Sequence, residues 1–428
     1  MKDMFLQKEY FINTRKKFNS FLKKDSLVIL HSNDEMPRNG DQFFKFRQNS
    51  NMLYLTGLKQ EKTIFCFYPD HPDKKFQELV FIVKPDKKQE TWEGHKYSIE
   101  EAHNISGVEN IHYLLEFDSV MRELLLRAKY IYLYHNEYPK FNTDVPERNL
   151  RFSRELINNF PGLKTERLAP LLLELRLIKE KEEVELMKKA CEITGSAFRR
   201  VLKTTRPKMI EYQIEAEISY EFRQLGAAGH AYAPIVASGK NACVLHYVSN
   251  DSVCKFGDLV LMDFGAEYRN YAADCSRTIP VNGKFTKRQK ECYESVLRVF
   301  KKAKQLFVPG NTINIINNKV NKWMEDEMII LGLFSKIDVE YQEEKSPMFF
   351  NFYMHGASHF IGLDVHDPGA KDRIFEKGMV LTCEPGLYIE KEGIGIRIEN
   401  DILVDDRPVD LMGNIPIEVE EIELLMKQ

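Results

Sequence analysis

Four carboxylates and a cluster of histidines are the residues of this chain best suited to chemistry. Asp263 closes the apolar run Leu259-Val-Leu-Met, and Asp274 follows eleven residues later. A turn near Arg269–Asn270 would set the two acids opposite or nearly opposite each other, where Cβ atoms lie ~5 Å apart. Glu384 closes a second apolar run, Met379-Val-Leu-Thr-Cys, ahead of a Pro385-Gly386 turn. Arg397 and Glu399 share one face of the strand after it, because strand side chains alternate. His355, His359 and His366 fall within twelve residues of one another, between the two pairs. Buried carboxylates this close repel, so one takes up a proton or a cation neutralises them. A divalent metal is the usual cation. Oxygen-rich ligation with one imidazole suits Mn2+, Co2+, Fe2+ or Zn2+. Two such ions ~3.5 Å apart can hold a nucleophilic water and polarise a carbonyl together. The competing readings are a solvated hairpin with two surface acids, satisfied core histidines and a structural Arg–Glu ion pair. The Glu of an HExxH zinc helix is missing, and Gly356 and Gly362 disfavour a regular helix through the histidines.

The elements that must carry these groups come in a repeated order. Helices over 177–203 and 210–225 precede a strand pair around 258–280. Helices over 287–307 and 312–331 precede another around 379–404. Helix, helix, hairpin occurs twice, with paired carboxylates on each hairpin, which suggests an internal repeat with little shared sequence. Ala169 to Thr204 reads as a long amphipathic helix, with apolar residues three to four apart. Upstream, β-like runs at Leu27–Leu30, Met52–Leu55, Thr63–Tyr68, Leu79–Val83 and Tyr130–Tyr134 alternate with helical stretches at Ile99–His103 and Phe117–Arg127. That alternation reads as an α/β sheet domain. The boundary is expected near Pro170, giving an α/β domain over 1–170 and an α+β domain over 171–428.

Composition closes off other classes. The chain has 428 residues, a formal net charge of -3 and 43% hydrophobic residues. Such a chain can build two or three cores, and it lacks the basic excess of a nucleic-acid protein. No run of ~18 apolar residues predicts a membrane span. The charged segment Met1–Lys17 lacks the apolar centre of a secretory leader. Seven cysteines, scattered without a CxxC pair, fit reduced thiols in the cytoplasm. Cys275 and Cys383 read as packing residues beside the acids. Arg15–Lys17 and Lys87–Lys88 read as solvated faces, and Glu340–Lys345 as an exposed loop.

The motifs taken together resemble a known family. Asp263 and Asp274 eleven apart, FYMHGASHFIGLDVHD, CEPGLYI and GIRIEND are similar to aminopeptidase P (Xaa-Pro aminopeptidase). That group belongs to the pita-bread metallopeptidases, with prolidase, methionine aminopeptidase and creatinase as relatives. FRQNSNMLYLTG, Phe46 to Gly57, resembles the group's N-terminal domain, so the likeness spans nearly the whole chain. The resemblance implies a pita-bread catalytic domain over 171–428 and five metal ligands: Asp263, Asp274, His359, Glu384 and Glu399. It places His246, His355 and His366 in the substrate cleft and Tyr232 near the site. Arg397 matches an arginine behind the ligands, and Arg373 an arginine near the substrate, although the loop from Asp367 to Arg373 is short. The implied chemistry is hydrolysis of the N-terminal Xaa-Pro bond by a hydroxide bridging two ions, most simply Mn2+, with Glu384 as general base and acid. The alternatives are an Xaa-Pro dipeptidase (prolidase) and a non-catalytic peptide-binding protein of the same fold. Relatives of this layout imply a homodimer or homotetramer.

Overall fold

The computed structural model describes residues 6–343 and 346–427. The chain divides into two compact units, Met1–Arg176 and Leu177–Gln428. The division falls between Arg176 and Leu177, one residue before the end of the helix Ala169–Leu177, with the expected boundary near Pro170 at that helix's start. The reason is local: Tyr54 Oη donates to the Leu175 carbonyl at 3.1 Å, and Arg176 Nη1 to Asn51 Oδ1 at 2.7 Å. Both bonds hold this helix to the first unit.

The first unit is built on a six-stranded mixed sheet. Its spatial order is Asn110–Tyr113, Glu78–Ile82, Ile64–Phe67, Ser26–His31, Tyr130–Leu133 and Thr165–Arg167. Alternate side chains supply two buried faces. Leu27, Ile29, Cys66, Leu79, Phe81, Ile131 and Leu133 pack with Phe117 and Leu124 of the helix Phe117–Arg127 and with Phe152 of Arg148–Asn159. On the other face Phe67 stacks on Phe18 of the helix Lys8–Asn19. Met52–Leu55, expected as a strand, lies in the helix Ser50–Thr56. The Asn49 side chain accepts from the Asn51 and Met52 N–H groups, and Gly57 ends the helix at φ 72. These caps outweigh the apolar run between them. Arg15, expected on a solvated face, is fully buried and bonds the carbonyls of Leu55 and Ser106 and the carboxylate of Glu78. Lys16, Lys17, Lys87 and Lys88 are exposed.

The stretch Ala169–Thr204, read as one helix, is two: Ala169–Leu177 at the end of the first unit and Lys181–Thr204 in the second. Lys181–Thr204 starts afresh because Ile178 bridges Met379 and the Lys179 N–H bonds the Gly378 carbonyl. Glu211–Gln224 follows, then the antiparallel sheet Ile235–Ser238, Leu259–Phe264 and Cys275–Pro280. Helices Lys287–Lys304 and Ile313–Ile330 precede the second set of strands: Val380–Cys383, Gly386–Ile389, Ile394–Arg397 and Asn400–Leu403. Twice, therefore, two helices run before a hairpin region. Of the Glu340–Lys345 loop, Glu340 ends the helix Lys336–Glu340, and residues 344–345 lie outside the described residues. No helix among the described residues is long and apolar enough to cross a membrane.

Candidate metal centre

The first acid pair is set by a tight hairpin. Asp263 pairs with Ser276 and Phe264 with Cys275, and the same register continues to Tyr268 and Tyr271. The two residues left over, Arg269 and Asn270, both have positive φ, 52° and 73°. Such a two-residue turn twists with its strands. Asp274 therefore stands diagonal to Asp263, facing Gly265, and on the same side of the ladder. A Cβ at Gly265 would lie 1.7 Å from the Ala273 carbonyl oxygen, so only glycine permits this approach. The Tyr232 hydroxyl joins the pair, 2.6 Å from Asp263 Oδ1 and 2.5 Å from Asp274 Oδ1. It has one proton to give to two carboxylates.

The second pair is brought in by the later strands. Glu384 follows the strand Val380–Cys383, and Thr382, two residues earlier, presents its hydroxyl 3.3 Å from Glu384 Oε1. The same hydroxyl accepts the His359 backbone N–H at 3.1 Å. Glu399 donates its backbone N–H to the Ser276 carbonyl, and the Ser276 hydroxyl donates to Glu399 Oε2 at 2.7 Å. Arg397 spends its three nitrogens on three partners: Ser276 Oγ at 2.7 Å, the Tyr388 hydroxyl at 2.9 Å and Asp263 Oδ2 at 2.6 Å. Its buried position puts it behind Asp263.

His359 ties the pairs together. Its Nε2 lies 3.3 Å from Asp274 Oδ2 and 3.8 Å from Glu384 Oε1, while Nδ1 bonds the Phe360 carbonyl at 3.0 Å. With its proton on Nδ1, a neutral ring aims the Nε2 lone pair at carboxylates. Donor atoms of Asp274, His359 and Glu399 all lie within 4.8 Å of one another. His355 takes a different place. Nδ1 donates to the Gly356 carbonyl at 2.8 Å, and Nε2 meets the Tyr388 hydroxyl at 2.8 Å. His366 is exposed, its ring 4.5 Å from that of His359 and nearly perpendicular to it. His246 is exposed on a loop. Arg373 pairs with Glu376 at 2.7 Å.

The electrostatics of these groups call for a cation. Burial, followed by repulsion from neighbouring acids, raises Glu399 well above the carboxylate range. Burial likewise raises Asp274, against the opposing hydrogen bond from His359, and holds Glu384 up at about 7. Burial would lower His359, but its bond to Asp274 and the charge of Glu384 carry it up to about 9. His355 is held down at about 3 by burial and by Arg397, which keeps it neutral. Raised carboxylates and a raised imidazole favour protons at this cluster, and a divalent ion would compete with them. The residues present fit such an ion. Asp274 and Glu399 are the more deeply buried, with 7% and 2% of their side chains exposed, whereas His359 and Glu384 keep 21% and 17%.

Four contributors escaped the sequence reading: Ser276, Thr382, Tyr388 and Asp401. Asp401 is fully buried and accepts the Asp274 N–H at 3.2 Å and the Cys191 thiol at 3.4 Å. Three of the four stand two residues from an acid, so strand alternation would have put them on the same face. The solvated-hairpin reading fails on burial. Cys275 and Cys383 are buried packing residues, and burial pushes the Cys275 thiol up to about 12.

The same residues lie inside a matched family model. The model described as Metallopeptidase family M24 matches residues 185–406. The chain belongs to this family. A second model, Aminopeptidase P, N-terminal domain, matches residues 11–134. Among M24 relatives, the chain is 37% identical to a Xaa-Pro aminopeptidase of Haemophilus influenzae and 34% to that of Escherichia coli, over 98% of each chain in both cases. Among solved structures it is similar to a zinc-substituted aminopeptidase P of E. coli in complex with product, with a TM-score of 0.90 over 99% of this chain and 98% of that one, at 32% identity. A Bacillus anthracis structure described as a putative aminopeptidase P gives a TM-score of 0.91 at 36% identity over 99% of both chains. The fold is thus the aminopeptidase P layout, an N-terminal α/β domain with a pita-bread catalytic domain, and the chain is an M24 metallopeptidase.

Proposed function

We propose that this enzyme removes the N-terminal residue from peptides whose second residue is proline, using two divalent ions held by Asp263, Asp274, His359, Glu384 and Glu399. One observation carries the reading: four acids from the two hairpin regions and His359 from between them are joined by short contacts, with donor atoms of Asp274, His359 and Glu399 within 4.8 Å of one another. Relatives named Xaa-Pro aminopeptidase, matched over 98% of both chains, support the choice of bond. Manganese is our choice of metal on ligand chemistry, with Co2+, Fe2+ or Zn2+ able to bind the same donors. When bound, the ions supply Lewis-acid activation of water and of the scissile carbonyl.

The remaining work falls to side chains. The Glu384 carboxylate takes a proton from the attacking water. It then delivers that proton to the leaving nitrogen, which belongs to proline and has no N–H of its own. His246 or His366 stabilises the oxyanion from the cleft, and neutral His355 lines the same cleft. Tyr232 and Arg397 fix Asp263 and Asp274, and Arg373 stands at the edge for substrate. Seven unpaired cysteines support a cytoplasmic enzyme. A homodimer or homotetramer completes the reading, and sedimentation equilibrium measures it.

The test compares an Xaa-Pro-Yaa tripeptide with an Xaa-Pro dipeptide. Chelated protein is assayed before and after Mn2+ is added back. Release of free Xaa from the tripeptide, dependent on Mn2+, is the expected result. Cleavage of the dipeptide alone would make the enzyme a prolidase. Silence toward both with Mn2+ bound would overturn the Xaa-Pro reading in favour of a different substrate or a non-catalytic role.

A further inference from the structure

The helix Glu211–Gln224 begins with a buried carboxylate for which the reaction above has no use. Its Oε1 accepts from the Ser238 N–H at 2.7 Å, the Ser238 hydroxyl at 2.8 Å and Asn241 Nδ2 at 3.1 Å. Its Oε2 accepts from the Tyr247 hydroxyl at 2.8 Å and the Ser252 N–H at 2.9 Å. All these donors are neutral, and all lie on the segment 238–252. The Glu211 N–H returns a bond to the Ser252 carbonyl at 3.0 Å, and Ile210 bridges Val253. One turn along, Glu215 accepts Asn250 Nδ2 at 2.8 Å, while Asn250 Oδ1 accepts the Val236 N–H at 2.9 Å. One helix face therefore grips both ends of a loop and a point inside it.

His246 rides on that loop. Its neighbours Leu245 and Tyr247 pack against Ile235, Ala237, Leu261 and Tyr388, while His246 itself is exposed. Two inward residues thus decide which way the histidine between them faces. The loop also presses on the strand that carries Arg397: a Cβ at Gly395 would lie 2.3 Å from the Ala242 carbonyl oxygen. The residue type at 211 follows from the donor set. A carboxylate offers acceptors only, on two oxygens, whereas an amide of the same shape would turn two N–H groups toward donors.

We propose that Glu211 is a positioning residue for His246, a carboxylate clamp that holds the histidine loop in register with the metal centre. The proposal rests on the reading of His246 as a substrate-facing group. Its test is steady-state cleavage of an Xaa-Pro-Yaa tripeptide by the Mn2+-loaded full chain carrying Glu211→Gln, Tyr247→Phe, His246→Ala, or either of the first two combined with His246→Ala. Glu211→Gln is expected to lower kcat/KM by about 10–100-fold, the scale of a misplaced group, and Tyr247→Phe by less. In the His246→Ala background each should cost less than about twofold more, because coupled sites are not additive. Hydrogen exchange of the amides in 239–251 should quicken in Glu211→Gln, with those of Leu259–Phe264 unchanged. Losses that multiply with His246→Ala, or unchanged exchange in the loop, would overturn the clamp. A silent His246→Ala would overturn the substrate reading and the clamp with it. If Glu211→Gln does not fold, Tyr247→Phe decides alone, because it removes only one of the five donors.

Discussion

Arg397 holds Asp263, Ser276 and Tyr388 at once, and its planar fork has no equivalent in an ammonium. Arg397→Lys should therefore keep the charge and still lower kcat/KM by about 10–100-fold, the usual cost of losing a partner behind a metal ligand. Loss of activity with no change in bound Mn2+ would point to substrate rather than ligand orientation. Glu384→Gln should lower kcat by about 100–10,000-fold if the carboxylate is the general base, and unchanged turnover in a metal-loaded sample would sink that role. Asp263 and Glu384 were legible because each closes an apolar run, and Asp274 and Glu399 because each flanks a strand in the same hairpin region. The groups that orient them were not. Ser276, Thr382 and Tyr388 are ordinary strand residues by type, and nothing in their spacing separates a hydroxyl bonded to a ligand from one bonded to a neighbouring backbone. Asp401 is charged, but it sits beside Asn400 and Glu399, in a run that one acid already explained.

Short helices are decided at their ends. Ser50–Thr56 has an apolar run that suits a strand, yet Asn49 caps its start and Gly57 closes it. Asn49→Ala should cost ~1 kcal/mol of stability. Gly57→Ala should cost more, ~1–3 kcal/mol for the backbone alone, because its Cβ would also lie 2.5 Å from the Phe11 ring. Urea unfolding of the two variants checks the order, and an equal loss would deny the glycine its role. Four of the six strands of the first sheet were legible as short apolar runs, whereas Asn110–Tyr113 and Thr165–Arg167, which are only partly buried edge strands, were not. The break at Ile178 to Glu180 was not, since its cause, the bonds to Gly378 and Met379, lies two hundred residues away along the chain. The hairpin turn was legible, because Arg269–Asn270 is the only polar pair between its two runs.

For the molecule as a whole, the acid site couples stability to pH. Folding raises Glu384 from its ordinary 4.5 to about 7, so across that window the metal-free folded chain keeps a proton that the unfolded chain has lost. Stability falls as pH rises through it. His359, raised from 6.5 to about 9, has the same sign: its contribution is complete below 6.5 and gone above 9. A divalent ion competes with these protons and binds better once they have left, so the gain in Tm on adding Mn2+ should be larger at pH 8 than at pH 5.5. Differential scanning fluorimetry reads this directly, and an equal or smaller gain at pH 8 would contradict it. The two-domain plan was legible from composition and pattern, while the exact division needed the bonds of Tyr54 and Arg176. Asp263 and Asp274 come from the first hairpin region, and Glu384 and Glu399 from the second, with His359 between them. A chain growing from its N-terminus completes its domains in that order. On the ribosome, the nascent enzyme would hold no complete ion site until Glu399 had emerged. With the proposed ligands, metal capture would be among the last events of synthesis, and the peptidase would stay inert while most of its own polypeptide is still being made.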